Sequence, residues 1–319
     1  MKLVILERNS VGTDVDVSCF EKFGEVTCYP NTVAANTSER VKDADIILAN
    51  KAPLNESTLK DAPNVKLICL LATGFDNVDL AYCKSRSIKV TNVVNYCTST
   101  VAQHTLLLAL ALSEKIAFYD DYVKSGAYSA QDRFSNFDRT FYDLEGKTWG
   151  IIGMGTIGRR VAGLAQAFGC RVIFYSASGK STCTDYKRVE FDTLLQESDI
   201  LSLHCPLSDR TRGLINQDAL SKMKKTAVLV NVARGPVVDT RALCDALVTD
   251  RIAGAGLDVL EQEPMAKDNP LAQIKDSTKL IITPHMAWAS LESRTRLVDE
   301  VVKNIEAFLA GENRNVVNL

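Results

Sequence analysis

Three glycines, in the run Gly153-Met154-Gly155-Thr156-Ile157-Gly158, constrain this chain more than any other feature because of what flanks them. An apolar stretch, Trp149-Gly150-Ile151-Ile152, leads in, and Arg159 to Phe168 follows with helical composition. Arg171-Val172-Ile173-Phe174-Tyr175 then reads as the next strand. A glycine triplet alone says little, but strand, tight turn, helix and strand within some thirty residues is the unit that cradles a dinucleotide pyrophosphate. Gly153 allows the turn, Gly155 lets a phosphate approach the backbone, and Gly158 lets the helix sit close to the sheet. The helix N-terminus then offers unpaired N–H groups and the positive end of its dipole. Gly153, Gly155, Thr156, Ile157 and Gly158 are therefore candidate cofactor contacts.

The same alternation extends along the chain. Apolar, β-branched runs at 2–6, 45–48, 66–71 and 88–93, with helical stretches near 39–43 and 77–85, predict a first parallel sheet. A helix is expected over 101–122, its start supplied by Cys97-Thr98-Ser99-Thr100. Strands are expected again at 148–152, 171–175, 200–204, 227–232, 254–259 and 280–283. Strand–helix alternation of this kind predicts an α/β fold. Between them, 125–145 is polar yet carries Phe134, Phe137, Phe141 and Tyr142. It reads equally as an arm that packs on a second subunit or as a loop packed on its own chain.

Bulk properties exclude other classes. A formal net charge of −2 over 319 residues gives no electrostatic case for nucleic acid or an anionic membrane. The apolar run at the N-terminus ends at Glu7, too short for a signal-peptide core, and Leu106–Leu112 is far shorter than a membrane span. Nine cysteines without a Cys-x-x-Cys pair argue against a disulfide framework or a zinc site, and predict reduced thiols in a cytoplasmic protein.

Acid–base chemistry by an imidazole has three candidates: His104, His204 and His285. His104 lies within the apolar helix and reads as a core or interdomain residue. His204, followed by Cys205-Pro206, ends a strand at the carboxyl edge, where cofactors bind. His285 follows the last strand, with Ala287-Trp288-Ala289 after it as a dry wall. Two further strand ends carry charge: Val232-Ala233-Arg234, and Asp258 with Glu261 and Glu263 beyond it. An arginine, acids and a histidine on the edge that carries the glycine loop are the groups a substrate site needs.

These residues resemble the D-isomer-specific 2-hydroxyacid dehydrogenases. The matching pieces are the glycine loop, Leu203-His204-Cys205-Pro206-Leu207, Asn231 to Gly235, Gly256-Leu257-Asp258-Val259, Glu263-Pro264, Thr283-Pro284-His285 and Ala72 to Asp79. Thr73-Gly74-Phe75-Asp76-Asn77 and His285 to Ser290 are most similar to hydroxypyruvate reductases, or glycerate dehydrogenases. The resemblance implies two Rossmann-like domains with parallel sheets and an interdomain active-site cleft. Residues 1–98 with 289–319 would form the substrate domain, and 99–288 the dinucleotide domain. It implies His285 as proton donor to the keto oxygen, Glu263 as the carboxylate that holds the imidazole and favours its charged form, and Arg234 as the clamp on the substrate carboxylate. Thr73 and Gly74 would bind that carboxylate through backbone N–H groups, and Lys51 would line the cleft or stay solvated. Thr100, His204, Cys205, Pro206, Val232 and Ala233 would join the glycine loop as cofactor contacts, with Asp258 on the nicotinamide amide. The resemblance also implies a homodimer.

Two rivals share the architecture. A formate dehydrogenase pairs its histidine with Gln, whereas Glu263 stands here. A nucleotide-sensing corepressor would not need the Arg234, Glu263 and His285 set. On cofactor choice the chain departs from the NAD pattern: Ser176, with seventeen residues between it and Gly158, stands where an acid takes the ribose hydroxyls. Ser176, Ser178 and Lys180 are expected to admit the 2′-phosphate of NADP(H), with NAD(H) as the alternative or companion.

Overall fold

A computed structural model describes residues 1–319, which divide into two compact units: Met1–Cys97 with Ala289–Leu319, and Thr98–Trp288. In the first unit the elements run β1 (Lys2–Ile5), β2 (Glu25–Cys28), α1 (Ala34–Val41), β3 (Ile46–Ala49), α2 (Glu56–Leu59), β4 (Leu67–Leu70), α3 (Leu80–Ser85) and β5 (Lys89–Thr91). The strands are all parallel in the order β2-β1-β3-β4-β5. β3 and β4 are buried at every position, as apolar strands covered on both faces must be. The edge strand β2, Glu-Val-Thr-Cys, is largely exposed and has no apolar run to announce it.

The second unit begins with α4 (Thr98–Ser113), α5 (Ile116–Lys124) and α6 (Ala127–Ala130), then β6 (Thr148–Ile152), α7 (Thr156–Ala167), β7 (Arg171–Tyr175), β8 (Lys187–Arg188), α8 (Phe191–Glu197) and β9 (Ile200–Leu203). It continues through α9 (Gln217–Lys222), β10 (Val228–Asn231), α10 (Thr240–Val248), β11 (Gly254–Leu257) and β12 (Leu280–Ile282). Its seven parallel strands are ordered β12-β11-β10-β9-β6-β7-β8, so the strand order reverses between β6 and β9. That reversal opens the crevice at the carboxyl ends where ligands of such sheets bind. Two apolar layers cover the sheet: one gathers α8, α9 and α10 residues such as Leu194, Leu220 and Leu243, the other Leu108 and Leu112 of α4 with Val161 and Ala165 of α7.

The helix expected over 101–122 is two helices, α4 and α5, meeting at 62°. Lys115 breaks it by adopting φ 55, a left-handed conformation. The Lys115 side chain reaches across the unit, where Nζ donates to the Thr278 carbonyl at 3.1 Å. No single helix is long and apolar enough to cross a membrane. The final helix, α11 (Leu291–Leu309), returns to the first unit and packs on β4.

Candidate active site

The glycine turn leaves β6 with Gly153 at φ +96, a value side chains resist. A Cβ there would lie 2.8 Å from the His204 carbonyl carbon and the Cys205 nitrogen, so the turn after β6 and the turn after β9 are pressed together. A Cβ on Gly158 would collide with the Gly153 carbonyl oxygen at 2.2 Å, which fixes how closely α7 sits under its own turn. At Gly155 a Cβ would meet nothing within 4 Å, and no side chain caps the N-terminus of the twelve-residue α7. The open space and the uncapped N–H groups fit a pyrophosphate. Beside them, His204 Nδ1 is buried with no protein partner, while its Nε2 lies 3.0 Å from Ser202 Oγ, which also accepts from Trp149 Nε1 at 2.9 Å. Burial drives the His204 imidazole down to a pKa of about 3, so it is neutral. These residues fit a dinucleotide.

At the end of β7, Ser176 is 6% exposed, and its Oγ faces the Ser181 N–H at 3.4 Å. Ser178, Gly179 and Lys180 of that turn are exposed. Two arginines that no motif announces also reach it: Arg188 donates to the Gly179 carbonyl at 3.1 Å, and Arg210 approaches the Ser178 carbonyl at 3.5 Å. The turn thus gathers three cations and no acid.

After β10, buried Asn231 shapes the next turn: its Oδ1 accepts from Ala233 N–H at 3.0 Å and its Nδ2 donates to the Arg234 carbonyl at 3.0 Å. Arg234 is half-buried and donates to the Ala233 carbonyl at 2.8 Å. Gly235 lies so close to Leu260 that a Cβ would sit 1.9 Å from its carbonyl. The turn carrying Arg234 therefore abuts the turn carrying Glu263, whose Oε1 accepts from Leu260 N–H at 2.9 Å.

Glu263 Oε2 accepts from His285 Nδ1–H at 2.7 Å. Because a carboxylate only accepts, the hydrogen bond assigns that proton to Nδ1 and leaves Nε2 as the nitrogen that exchanges one. His285 is itself at φ 53, rare for a non-glycine residue, and its N–H lies 2.8 Å from the Asp258 carbonyl. Strain of this kind persists only where surrounding contacts enforce it. Asp258, read from the sequence as a cofactor contact, is 1% exposed and turned inward: Oδ1 accepts from Thr283 Oγ1 at 2.6 Å and Met286 N–H at 2.8 Å, and Oδ2 from Ala287 N–H at 2.8 Å. It ties down the loop that bears His285. Glu261, the other acid of that run, pairs with Thr240 Oγ1 at 3.1 Å and has no bond to His285.

In the first unit, Lys51 and Thr73 are exposed, Gly74 is half-exposed, and Thr73 Oγ1 donates to the Val93 carbonyl at 2.7 Å. Buried Glu7, beyond β1, accepts from the N–H groups of Asn50 and Lys51 at 2.7 and 2.8 Å and so fixes the start of the Lys51 turn. Thr100 lies in the first turn of α4, Val232 and Ala233 directly follow β10, and Pro206 is exposed in the turn after β9.

The chain is similar to known proteins. Residues 106–287 match the family model described as D-isomer specific 2-hydroxyacid dehydrogenase, NAD binding domain. A glycerate dehydrogenase from Methylorubrum extorquens is 40% identical over 99% of this chain and 98% of its own. A hydroxypyruvate reductase from Blautia hydrogenotrophica is 37% identical over the whole of both chains. Among solved structures, a D-lactate dehydrogenase from Aquifex aeolicus, complexed with NAD and lactic acid, superposes with a TM-score of 0.87, at 32% identity over 100% of this chain and 99% of that one.

Proposed function

The chain belongs to the D-isomer-specific 2-hydroxyacid dehydrogenases, enzymes that use a nicotinamide cofactor to interconvert 2-keto and D-2-hydroxy acids, and from that premise we propose that it reduces hydroxypyruvate and glyoxylate to D-glycerate and glycolate. The 2.7 Å bond between Glu263 and His285 is the observation that carries the site assignment. When bound, the nicotinamide supplies a hydride to C2 of the keto acid. His285 donates a proton from Nε2 to the keto oxygen, and takes it back in the oxidative direction. Glu263 holds the ring through Nδ1 and offsets the charge that His285 carries before it gives up the proton. Arg234 grips the substrate carboxylate with its planar guanidinium and polarises the neighbouring carbonyl. Thr73 and Gly74, through their N–H groups, and Lys51 are the first unit's assigned contacts for a carboxylate.

The second unit is the dinucleotide domain and the first the substrate domain. Gly153, Gly155, Thr156, Ile157 and Gly158 hold the pyrophosphate, and Thr100, His204, Cys205, Pro206, Val232 and Ala233 line the rest of the cofactor site. NADPH is accepted alongside NADH. The cluster of Lys180, Arg188 and Arg210 around the Ser176–Ser178 turn, with no acid to repel a 2′-phosphate, supports this. Phe134 and Phe137, 89% and 75% exposed, support a homodimer in which this aromatic segment meets a second copy.

Initial rates of NADH and NADPH oxidation with hydroxypyruvate, glyoxylate, pyruvate and phenylpyruvate test the reading. Hydroxypyruvate or glyoxylate is expected to give the highest kcat/KM. A tenfold preference for pyruvate or phenylpyruvate overturns the substrate assignment.

A further inference from the structure

His104 is a buried residue of α4 with no place in the reaction described above, yet its ring is bonded to the loop that carries His285. Its Nε2 lies 2.9 Å from Thr283 Oγ1. The Thr283 hydroxyl has one proton, and the Asp258 carboxylate, at 2.6 Å and able only to accept, takes it. Thr283 Oγ1 must therefore accept from His104, which places a proton on His104 Nε2. Burial pushes the His104 imidazole towards its neutral form, and the charge of Asp258 opposes this only in part. The chain of bonds continues from Asp258 to the N–H groups of Met286 and Ala287, immediately after His285. His285 meanwhile holds its unfavourable φ of 53 through N–H contacts to the Asp258 and Thr283 carbonyls, at 2.8 and 2.9 Å.

We propose that His104 is a positioning residue for the reaction: through Thr283 and Asp258 it locks the 283–287 loop and so aims the His285 imidazole. The inference rests on His285 being the proton donor. His104→Leu would strip Thr283 of its donor and free the hydroxyl to rotate away from Asp258. His104→Gln would restore an N–H near the position of Nε2. A displacement of about 1 Å in a reacting group costs up to roughly a hundredfold in rate, so the loop need only relax slightly to be detected.

The experiment measures kcat and KM on the best keto acid, the Kd of NADH by fluorescence and the melting temperature, for His104→Leu, His104→Gln, Thr283→Val, the His104→Leu/Thr283→Val double variant and His285→Gln. The proposal expects kcat to fall roughly ten- to a hundredfold in His104→Leu, with the NADH Kd within about twofold of wild type. It expects His104→Gln to recover to within about threefold, and the double variant to be no slower than Thr283→Val, because both changes cut one chain of bonds. Full activity in His104→Leu, equal loss in His104→Gln, or multiplied losses in the double variant overturns it. If His104→Leu does not fold, an unimpaired Thr283→Val variant overturns it as well. His285→Gln separates the premise from the inference: activity that survives there removes the proton-donor assignment, whatever His104 does.

Discussion

Glu263 Oε2 and His285 Nδ1 lie 2.7 Å apart, although one follows β11 and the other β12. The pairing fixes which nitrogen is left for proton exchange. His285→Gln is expected to lower kcat by roughly 10²–10⁴-fold while NADH binding stays near wild type. In Glu263→Gln an amide oxygen still accepts from Nδ1, so that variant should lose less than Glu263→Ala. Steady-state kinetics on the three proteins check the ranking, and a near-normal kcat in His285→Gln ends the assignment.

Arg234→Lys retains the charge but removes the two-pronged geometry that matches a carboxylate. KM for the keto acid should rise by about tenfold or more and kcat should fall, with cofactor affinity unchanged. Unaltered constants for the keto acid would mean that Arg234 does not bind it.

Cofactor choice should follow charge at the end of β7. Ser176→Asp places a carboxylate against the 2′-phosphate, and Lys180→Ala with Arg188→Ala removes two cations. Each is expected to lower the kcat/KM ratio of NADPH to NADH, by about tenfold or more for the aspartate. Wild-type enzyme that refuses NADPH would dispose of this reading.

Acid sensitivity should trace to His204. Its folded pKa of about 3 lies below the ordinary 6.5, so from 6.5 downward the unfolded chain takes up a proton that the folded one refuses. Stability is therefore expected to fall as pH drops through this window, by at most about 1.4 kcal/mol per pH unit, with no contribution above it. Urea unfolding of wild type and His204→Gln at neutral and at acidic pH measures the difference. The variant should lose less on acidification, with the other buried histidine, His104, keeping its smaller share. Parallel losses would place the acid sensitivity elsewhere.

The aromatic segment makes an independent prediction. Phe134→Ser combined with Phe137→Ser should convert a species of twice the chain mass into one of the chain mass in sedimentation. If both proteins sediment alike, these side chains do not hold subunits together.

Much of the sheet is legible in the sequence because its strands are covered on both faces and so appear as unbroken apolar runs, as at 148–152 and 228–231. β2 and the two-residue β8 escape because they are edge strands of polar composition. The break at Lys115 escapes because neither Gly nor Pro stands there to mark it in the sequence. The site divides in the same way. Gly153, Gly155 and Gly158 stand in a local pattern with a local reason. The Asn231 side chain bonds only to the two residues of its own turn, Ala233 and Arg234, within a run the sequence already marks. His104 owes its place to a bond with Thr283, 179 residues away, that closes only once strands and helices are stacked, and its apolar neighbours in α4 do not record it. Arg188 and Arg210 reach the Ser178–Gly179 turn from separate segments, so the cations at that turn are only partly visible in the Ser-Ala-Ser-Gly-Lys run itself.

The first unit takes its last helix from the far end of the chain. Asn304 of α11 donates to the Asn92 carbonyl at 2.9 Å, Val316 bridges to Thr91, and the Asn318 side chain donates to the Ile88 carbonyl. During synthesis, the ribosome releases every strand of the second unit before α11 emerges. The second unit can therefore complete its core while the first still lacks the cover on β4, waiting for residues made more than two hundred positions later. A nascent or C-terminally clipped chain would in that interval carry a finished dinucleotide module beside an open apolar sheet, the kind of surface that chaperones hold and proteases find.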